Sequence, residues 1–331
     1  MLLAGDVGGT KTLLGLFRPD RTRPVPAVVR EYATPDFESL DEMVQVFIEE
    51  TDAAGIQATC VGAAGPVSGL VARLTSTPFV ADLGAVARRL GGVPATLLND
   101  LEALAWGVGV LHDDELEVLQ AGIALPNGNA ALLAAGTGLG EAFMHNVNGR
   151  FVPSASEGGH GDFAPRNGRE IALLEELLRI HGRVDVERLL CGPGLVNIFR
   201  FTHGSQDVSR ACDEVGVHLD PGDLPAAITA SAMAHRCEQC VEALEMFVEA
   251  YGSEAGNLAL RSLATAGIYI GGGIAPKILP ALKDGAFMAA FRDKPPMSDL
   301  LRTVPVAVIL NSSAALLGAA VRAGMLLKNP S

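Results

Sequence analysis

The sequence has few aromatic residues, few cysteines and no excess of basic charge. Aromatic side chains make up only 5% of the 331 residues, whereas glycine occurs 38 times, which favours an α/β protein with many tight turns. The five cysteines form no disulfide-type pattern, which indicates a reducing cytoplasm. The formal net charge is −13 and lysine and arginine do not cluster, so nucleic acid is not an expected partner.

The sequence also shows no hydropathy pattern typical of a secretory or membrane-spanning segment. The first residues lack a basic region followed by a long apolar one, so no signal peptide is expected. The most apolar stretch, towards the C-terminus, is interrupted by polar residues, which excludes a membrane span there: Asn311, Ser312, Ser313 and Arg322. With 49% hydrophobic and 19% charged residues, the chain has enough apolar material for one large or two ordinary domains.

Two cysteines have the spacing of a metal or redox motif, Cys237-Glu-Gln-Cys240. They lie in a stretch of helical composition, do not follow a strand and have no matching second ligand pair in the sequence. We therefore interpret them as two thiols on one face of a helix, with metal binding or redox chemistry as the alternative.

The N-terminal stretch Gly5-Asp-Val-Gly-Gly-Thr-Lys-Thr12 differs from a P-loop at one position, where Thr10 replaces the last glycine. A P-loop or dinucleotide loop opens a helix directly after its glycines. Here the following residues are apolar, include Gly15 and end at Arg18-Pro19, which indicates a strand. The segments Leu2–Ala4 and Thr12–Phe17 are therefore predicted to form a hairpin around the glycine turn.

A second hairpin is predicted around Gly136-Thr-Gly-Leu-Gly140, with strands at Ala130–Ala135 and Glu141–His145. A third glycine turn, Gly271-Gly-Gly273, follows the predicted strand Gly267–Ile270. The two hairpins suggest an internal duplication. A glycine hairpin alone is usually just a turn, but two hairpins with threonine and a third glycine turn favour a functional reading.

Further elements frame these turns. Strands are predicted at Thr59–Ala63 and Ala95–Leu98, and the second is followed by Asn99-Asp100 and a helix over 101–110. The segment 203–224 is predicted to be a polar loop, and residues 228–261 are predicted to be helical.

Glycine turns of this kind can bind phosphate, because their backbone N–H groups can converge on an anion and a threonine hydroxyl adds another donor. Asp6 beside the first turn would repel phosphate unless a cation lies between them, which predicts a bound Mg²⁺–phosphate complex held directly or through water. Lys11 either adds a positive charge near the phosphates or points to solvent.

The three glycine turns resemble the two phosphate loops and the adenosine loop of the actin/hexokinase superfamily. Three further motifs, distributed in order along the chain, resemble the bacterial glucokinase family: Leu98-Asn-Asp-Leu-Glu-Ala-Leu-Ala105, Glu157-Gly-Gly-His-Gly-Asp-Phe-Ala-Pro165 and Glu187-Arg-Leu-Leu-Cys-Gly-Pro-Gly-Leu-Val-Asn197. The cysteine-rich motif of zinc-containing sugar kinases is absent after His160.

The resemblance implies a role for each matching residue. Asp100 is the expected general base for the sugar 6-hydroxyl, and it binds the sugar together with Asn99, Glu157, His160, Glu187 and Ser76. The expected ATP-binding residues are Gly5, Asp6, Val7, Gly8, Gly9, Thr10, Lys11, Gly136, Thr137, Gly138, Gly271, Gly272 and Gly273, with Asp6 on Mg²⁺. The family's Thr-Asn pair is replaced within Leu74–Phe79, which bears on hexose selectivity.

The sequence alone also allows purely structural roles for the same residues. Asp100 could be only a helix N-cap. Glu157 and His160 could form a metal pair, although the two glycines between them disfavour a helix, and His160 could be a structural loop residue. Glu187, on a predicted helix over 184–190, could merely face solvent.

The fold implied by the resemblance is α/β, with two RNase-H-like domains around a central cleft. The expected small domain covers 1–108 plus 304–331 and the large one 109–303. The implied function is ATP-dependent phosphorylation of glucose at the 6-hydroxyl by a cytoplasmic homodimer.

Other functions stay open. The acceptor could be mannose, fructose or glucosamine, and the donor polyphosphate or ADP. A non-catalytic sugar-sensing regulator is the alternative from another class, but the first hairpin begins at residue 5 and leaves no room before it for a DNA-binding helix pair.

Overall fold

The computed structural model describes residues 1–74, 77–208, 212–215 and 222–327. The strands of this part of the chain are β1 Leu2–Val7, β2 Lys11–Arg18, β3 Val25–Ala33, β4 Ala58–Ala63, β5 Val67–Ser68, β6 Val71–Arg73, β7 Val80–Asp82, β8 Ala95–Asn99, β9 Leu116–Gln120, β10 Ala130–Ala135, β11 Leu139–Val147, β12 Arg150–Ser156, β13 Gly267–Gly271 and β14 Val306–Ile309. Its α-helices are α1 Leu40–Thr51, α2 Leu83–Arg89, α3 Asp100–Val108, α4 Gly168–His181, α5 Gly192–His203, α6 Leu224–Met233, α7 Glu238–Ser262, α8 Leu279–Lys283, α9 Ala286–Arg292, α10 Ser298–Thr303 and α11 Ala314–Leu326.

The chain divides into two compact units. The first comprises Met1–Glu115, Arg150–Ala155 and the described residues from Asn311 onwards, and the second comprises Leu116–Gly149 and Ser156–Leu310. Each unit consists of a β-sheet with α-helices packed against it, so the predicted α/β class is confirmed.

The sheet of the first unit has the strand order β3-β2-β1-β4-β8. Strands β1 and β2 are antiparallel neighbours, which confirms the hairpin and shows that no helix follows the glycine turn as it does in a P-loop. Strands β1, β4 and β8 are parallel, with Asp6 beside Gly62 and Gly62 beside Leu98. The carboxyl ends of these three strands therefore lie at one edge of the sheet.

Helices cover both faces of this sheet. One core cluster packs strand residues such as Leu3 and Leu14 against Phe47 of α1. The other packs the opposite face against α3 and α11. These two helices approach so closely that a Cβ on Gly318 would lie 1.8 Å from the carbonyl oxygen of Ala103, which holds α3 firmly.

The second unit repeats part of this pattern. Its sheet contains the order β11-β10-β13-β14-β9, in which β10 and β11 form the predicted second hairpin. Strand β10 is parallel to β13, as β1 is to β4. Its core is built around the 25-residue helix α7, whose Phe247 and Tyr251 are fully buried.

The predictions for the middle of the chain can be compared with the structure in part. Residues 228–261 are mostly helical, as predicted, and belong to two helices, because α6 ends at Met233 and α7 begins at Glu238. Of the predicted loop over 203–224, residues 209–211 and 216–221 lie outside the described residues. Within the described ranges, no helix is both long and apolar enough to cross a membrane.

Candidate active site

Asp100 occupies the point where β8 ends and α3 begins. Asn99 has extended backbone angles and is the N-cap, so Asp100 is the first helical residue rather than the cap. The Leu101 amide donates to both side chains, at 3.0 Å to Asn99 Oδ1 and 2.9 Å to Asp100 Oδ1. This shared bond fixes both side chains at the carboxyl edge of the sheet.

Gly62 permits this placement. It lies on β4, between β1 and β8, directly beneath the first turn of α3. A Cβ on Gly62 would lie 2.7 Å from the Cβ of Ala103 and 3.6 Å from the Cα of Asp100. Any larger residue would therefore push away the helix that carries Asp100.

Asp6 and Asp100 are carboxylates with raised pKa values at this edge of the sheet. Burial, followed by the Asp100 charge, raises the pKa of Asp6 to about 6, while Lys11 acts in the opposite direction. Burial also raises the pKa of Asp100, against the hydrogen bond from the Leu101 amide, which lowers it. The edge therefore holds two carboxylates whose charged forms are both disfavoured in the absence of a cation.

The first glycine turn is stabilised by a hydrogen bond from Thr34, a residue outside the turn. The Gly8 amide donates to the Lys11 carbonyl oxygen at 3.0 Å, and the Thr34 hydroxyl donates to the Gly8 carbonyl oxygen at 2.7 Å. The buried Thr34 hydroxyl also lies 2.9 Å from that of Thr12. Sequence reasoning missed Thr34, because nothing in its local pattern connects it with a turn 26 residues earlier.

Two backbone N–H groups of this turn are available to bind a ligand. The N–H groups of Gly9 and Thr10 have no backbone acceptor among the residues that the structure describes. The Lys11 ammonium lies 3.2 Å from the Glu31 carboxylate, with both side chains exposed. This exposed ion pair does not distinguish between the two sequence readings of Lys11, because the Lys11 charge also acts on Asp6.

The second glycine turn is held by Glu187. The Gly136 amide donates to the Gly138 carbonyl oxygen at 2.8 Å, and the Gly192 amide at the start of α5 donates to the Gly136 carbonyl oxygen at 2.9 Å. The Leu139 amide donates to Glu187 Oε2 at 2.7 Å. Glu187 lies on a short 3₁₀ helix, Val186–Arg188, and does not simply face solvent.

The third glycine turn lies against the second. Gly271 pairs with Ala134 of the parallel strand β10, and the Ile274 amide donates to the Ala135 carbonyl oxygen at 3.2 Å. Gly272 has a φ of 84°, and a Cβ there would lie 2.2 Å from the same Ala135 oxygen. Only glycine fits this contact.

Glu157 directly precedes a 3₁₀ turn, Gly158–His160, and His160 is its last residue, so the two residues do not share an α-helix. The Glu157 side chain is 93% exposed, and its carboxylate lies 4.0 Å from His160 Nε2. The other ring nitrogen, Nδ1, lies 3.3 Å from Asp185 Oδ2. Asp185 was also missed from the sequence, although it lies only two residues before Glu187.

The described residues thus form two groups, one in each unit. The first unit holds Asn99, Asp100, Asp6 and the first glycine turn, Gly5–Lys11. The second holds Glu157, His160 and Glu187 with the other two turns, Gly136–Gly138 and Gly271–Gly273. Ser76 lies outside the described residues.

Solved structures with the same fold define the class of protein. The crystal structure of a glucokinase from an Antarctic psychrotroph is 28% identical, with a TM-score of 0.85, and 97% of this chain and 98% of that one are covered. A ROK-family glucokinase from Streptomyces griseus, solved with glucose and AMPPNP, has a TM-score of 0.62 at 21% identity over 98% and 99% of the two chains. The fold is that of the actin-like ATPase sugar kinases, as predicted.

Sequence comparison narrows the class to one family. The family described as Glucokinase matches residues 3–325. The Synechocystis sp. glucokinase is 38% identical over 96% of both chains, and that of Mesorhizobium japonicum is 37% identical over 100% of this chain and 92% of its own. The chain belongs to the glucokinase family, which confirms the enzyme class predicted from the motifs.

Proposed function

We propose that the protein transfers the γ-phosphoryl group of ATP to the 6-hydroxyl of glucose, giving glucose 6-phosphate and ADP, with Asp100 as general base. The observation that carries this proposal is a carboxylate of raised pKa at the first turn of α3. Family membership supports the reaction, and the positions of the three glycine turns support the donor.

In the proposed step, Asp100 accepts the proton of the 6-hydroxyl while that oxygen attacks the γ-phosphorus in line. A raised pKa makes Asp100 a better proton acceptor, provided that it is ionised at the working pH. The Leu101 amide keeps the carboxylate oriented. Asn99, fixed by the same amide, is proposed to bind a neighbouring sugar hydroxyl.

The proposed nucleotide contacts are backbone amides. The N–H groups of Gly9 and Thr10, which have no backbone acceptor among the described residues, suit phosphate oxygens. The second and third turns, which adjoin each other, suit the remainder of the nucleotide. At Gly272 only glycine permits the close approach to the Ala135 backbone, so the third turn packs tightly against β10.

Mg²⁺ fits the chemistry of the Asp6 side chain. Carboxylate oxygens are hard ligands, and a cation would offset the burial and the Asp100 charge that together raise the pKa of Asp6 to about 6. When bound with ATP, the ion supplies counter-charge for the phosphates. Asp6 is proposed to hold it directly or through water.

The proposed sugar contacts of the second unit are Glu157, His160 and Glu187. Because Glu187 Oε2 already accepts from Leu139, Oε1 is the oxygen available for a sugar hydroxyl. Asp185 orients the His160 ring through Nδ1, which leaves Nε2 for a hydroxyl. Ser76 is proposed as a further contact, and the substituted segment around it makes hexose preference the property to measure.

The decisive experiment is Asp100→Asn, which keeps an oxygen that can accept from the Leu101 amide but removes the base. We expect kcat to fall by about 10²–10⁴-fold with little change in glucose affinity. ADP release is measured in a coupled assay, and glucose binding by calorimetry. The exposed Asp36→Asn serves as the control, and near-normal turnover of Asp100→Asn would refute the assignment.

Three further properties belong to the proposal. A panel of glucose, mannose, fructose and glucosamine would compare kcat/KM and decide the preferred acceptor. Light scattering after gel filtration would test the expected homodimer. The five free thiols are consistent with the expected reducing cytoplasm, which localisation in cells would test.

A further inference from the structure

We propose that His203, Cys212, Cys237 and Cys240 form a structural zinc site in the second unit. Each residue offers one ligand atom, and these four atoms all lie within 4.8 Å of one another. No residue of this cluster belongs to the proposed active site. The proposal is therefore independent of the proposed reaction.

Cys237 and Cys240 lie at the start of α7. Cys237 is the N-cap, with extended backbone angles of −139° and 120°, and Cys240 lies in the first helical turn. The interpretation of two thiols on one helix face is therefore wrong for Cys237, which precedes the helix. A Cys-x-x-Cys pair has the ligand spacing typical of half of a structural zinc site.

His203 is the last residue of α5, and its ring is already oriented for metal binding. Nδ1 lies 2.8 Å from the Phe199 carbonyl oxygen, so this nitrogen carries the proton and donates it. The lone pair is then on Nε2, which lies 3.4 Å from Cys237 Sγ. A histidine ligand that donates its other N–H to a carbonyl is typical of zinc sites. The ring also packs on buried Phe199, 3.9 Å between centroids.

Cys212 supplies the fourth ligand from the described segment 212–215, between α5 and α6. Its side chain is buried, as is that of Cys240. His203 and Cys212 are therefore the second ligand pair, which no spacing pattern in the sequence indicated. They are nine positions apart and 25 or more residues from the Cys-x-x-Cys pair, so only folding makes the pair recognisable.

The ligand set and its dimensions suit Zn²⁺. Zinc prefers four tetrahedral ligands of the Cys and His type, with Zn–S distances of about 2.3 Å, which puts two sulfurs about 3.8 Å apart. The four atoms need to move little from their present separations. Three thiols would release their protons to solvent on binding. Because the protein fills all four positions, the site is structural rather than catalytic.

Such a site would join three separate segments. It would connect the end of α5, the segment 212–215 and the start of α7, the long core helix of this unit. The opposite end of α5 donates the Gly192 amide to the second glycine turn. Zinc would therefore stabilise the helix that supports a proposed nucleotide contact.

The experiment measures metal in the full-length protein purified with reductant and without chelator. We expect about one zinc per chain by mass spectrometry, and a lower thermal midpoint after removal with a strong chelator. Cys212→Ala and Cys237→Ala should each lower the zinc content at least tenfold. Cys60→Ala, a buried cysteine of β4 in the first unit, is the matched control and should keep its zinc.

Cobalt provides a readout that does not depend on variants that fold poorly. Chelator-treated wild type titrated with Co²⁺ should show the charge-transfer bands of thiolate ligands and the strong visible bands of a tetrahedral ion, saturating at one equivalent. Absence of zinc together with absence of these bands would overturn the proposal. It would also fail if fully reduced wild type and Cys212→Ala hold zinc equally, or if the cluster cysteines are isolated as a disulfide.

Discussion

Replacing Asp6 with asparagine should stabilise the protein in the absence of ligands while destroying its use of Mg²⁺–ATP. Asp6 is a carboxylate whose pKa is raised from 3.8 to about 6, first by burial and then by the Asp100 charge. The folded state therefore carries a penalty whenever this group is ionised. Asparagine has the same shape but no charge, so it removes that penalty.

The magnitude and the pH window follow from the two pKa values. The difference between 3.8 and about 6 corresponds to about 3 kcal/mol, and burying the asparagine amide reduces the expected gain to about 1–3 kcal/mol. Between these pKa values the unfolded chain has lost the proton that the folded chain keeps, so wild-type stability falls as pH rises. The advantage of Asp6→Asn should therefore be full above about pH 6 and disappear below about pH 4.

Urea unfolding of both proteins from pH 4 to pH 8, without nucleotide or metal, measures this effect. Exposed Asp36→Asn is the matched control and should not change stability. With Mg²⁺ and ATP added, only the wild type should gain stability through the ion. A variant that is less stable than wild type at pH 8, or equally affected at every pH, would refute the electrostatic explanation.

Three further predictions concern the same edge of the first sheet. Gly62→Ala should cost about 1–3 kcal/mol of stability and lower kcat, because its methyl group would displace α3. Thermal unfolding measures the loss of stability, and a turnover assay measures kcat. Gly168→Ala is the control, because a Cβ added at Gly168 would have no atom within 4 Å. The kcat/KM profile should decline at acidic pH with an apparent pKa above the ordinary 3.8 of an aspartate, since burial raises the pKa of Asp100, and a decline only below pH 4 would contradict this. Thr34→Val should raise KM for ATP about tenfold and leave KM for glucose almost unchanged, because it removes hydrogen bonds that hold the first turn.

Local patterns predicted most of the framework. The hairpin around Gly8 could be recognised because apolar residues continue as a strand after the glycines, and β1 and β2 pair as that implies. The strand before Asn99 and the helix after it also follow from local composition, and α3 begins at Asp100. Residues that act through their own neighbours in sequence are accessible to this kind of reasoning.

Contacts between distant segments were not predictable in this way. Thr34 holds a turn that it reaches only because β3 pairs with β2. Glu187 reaches the Leu139 amide because its 3₁₀ helix packs against the start of β11. The cluster of His203 with three cysteines depends on how α5 and α7 pack. A single sequence contains no spacing rule for these contacts, because tertiary packing rather than local propensity brings the groups together.

The contact of α3 with α11 has a mechanical consequence. With no room for even one methyl group between Gly318 and Ala103, neither helix can slide or rotate on the other without separating. The proposed base is thus carried by a stiff block that includes α11. Any motion of Asp100 towards the proposed substrate must move α11 along with it.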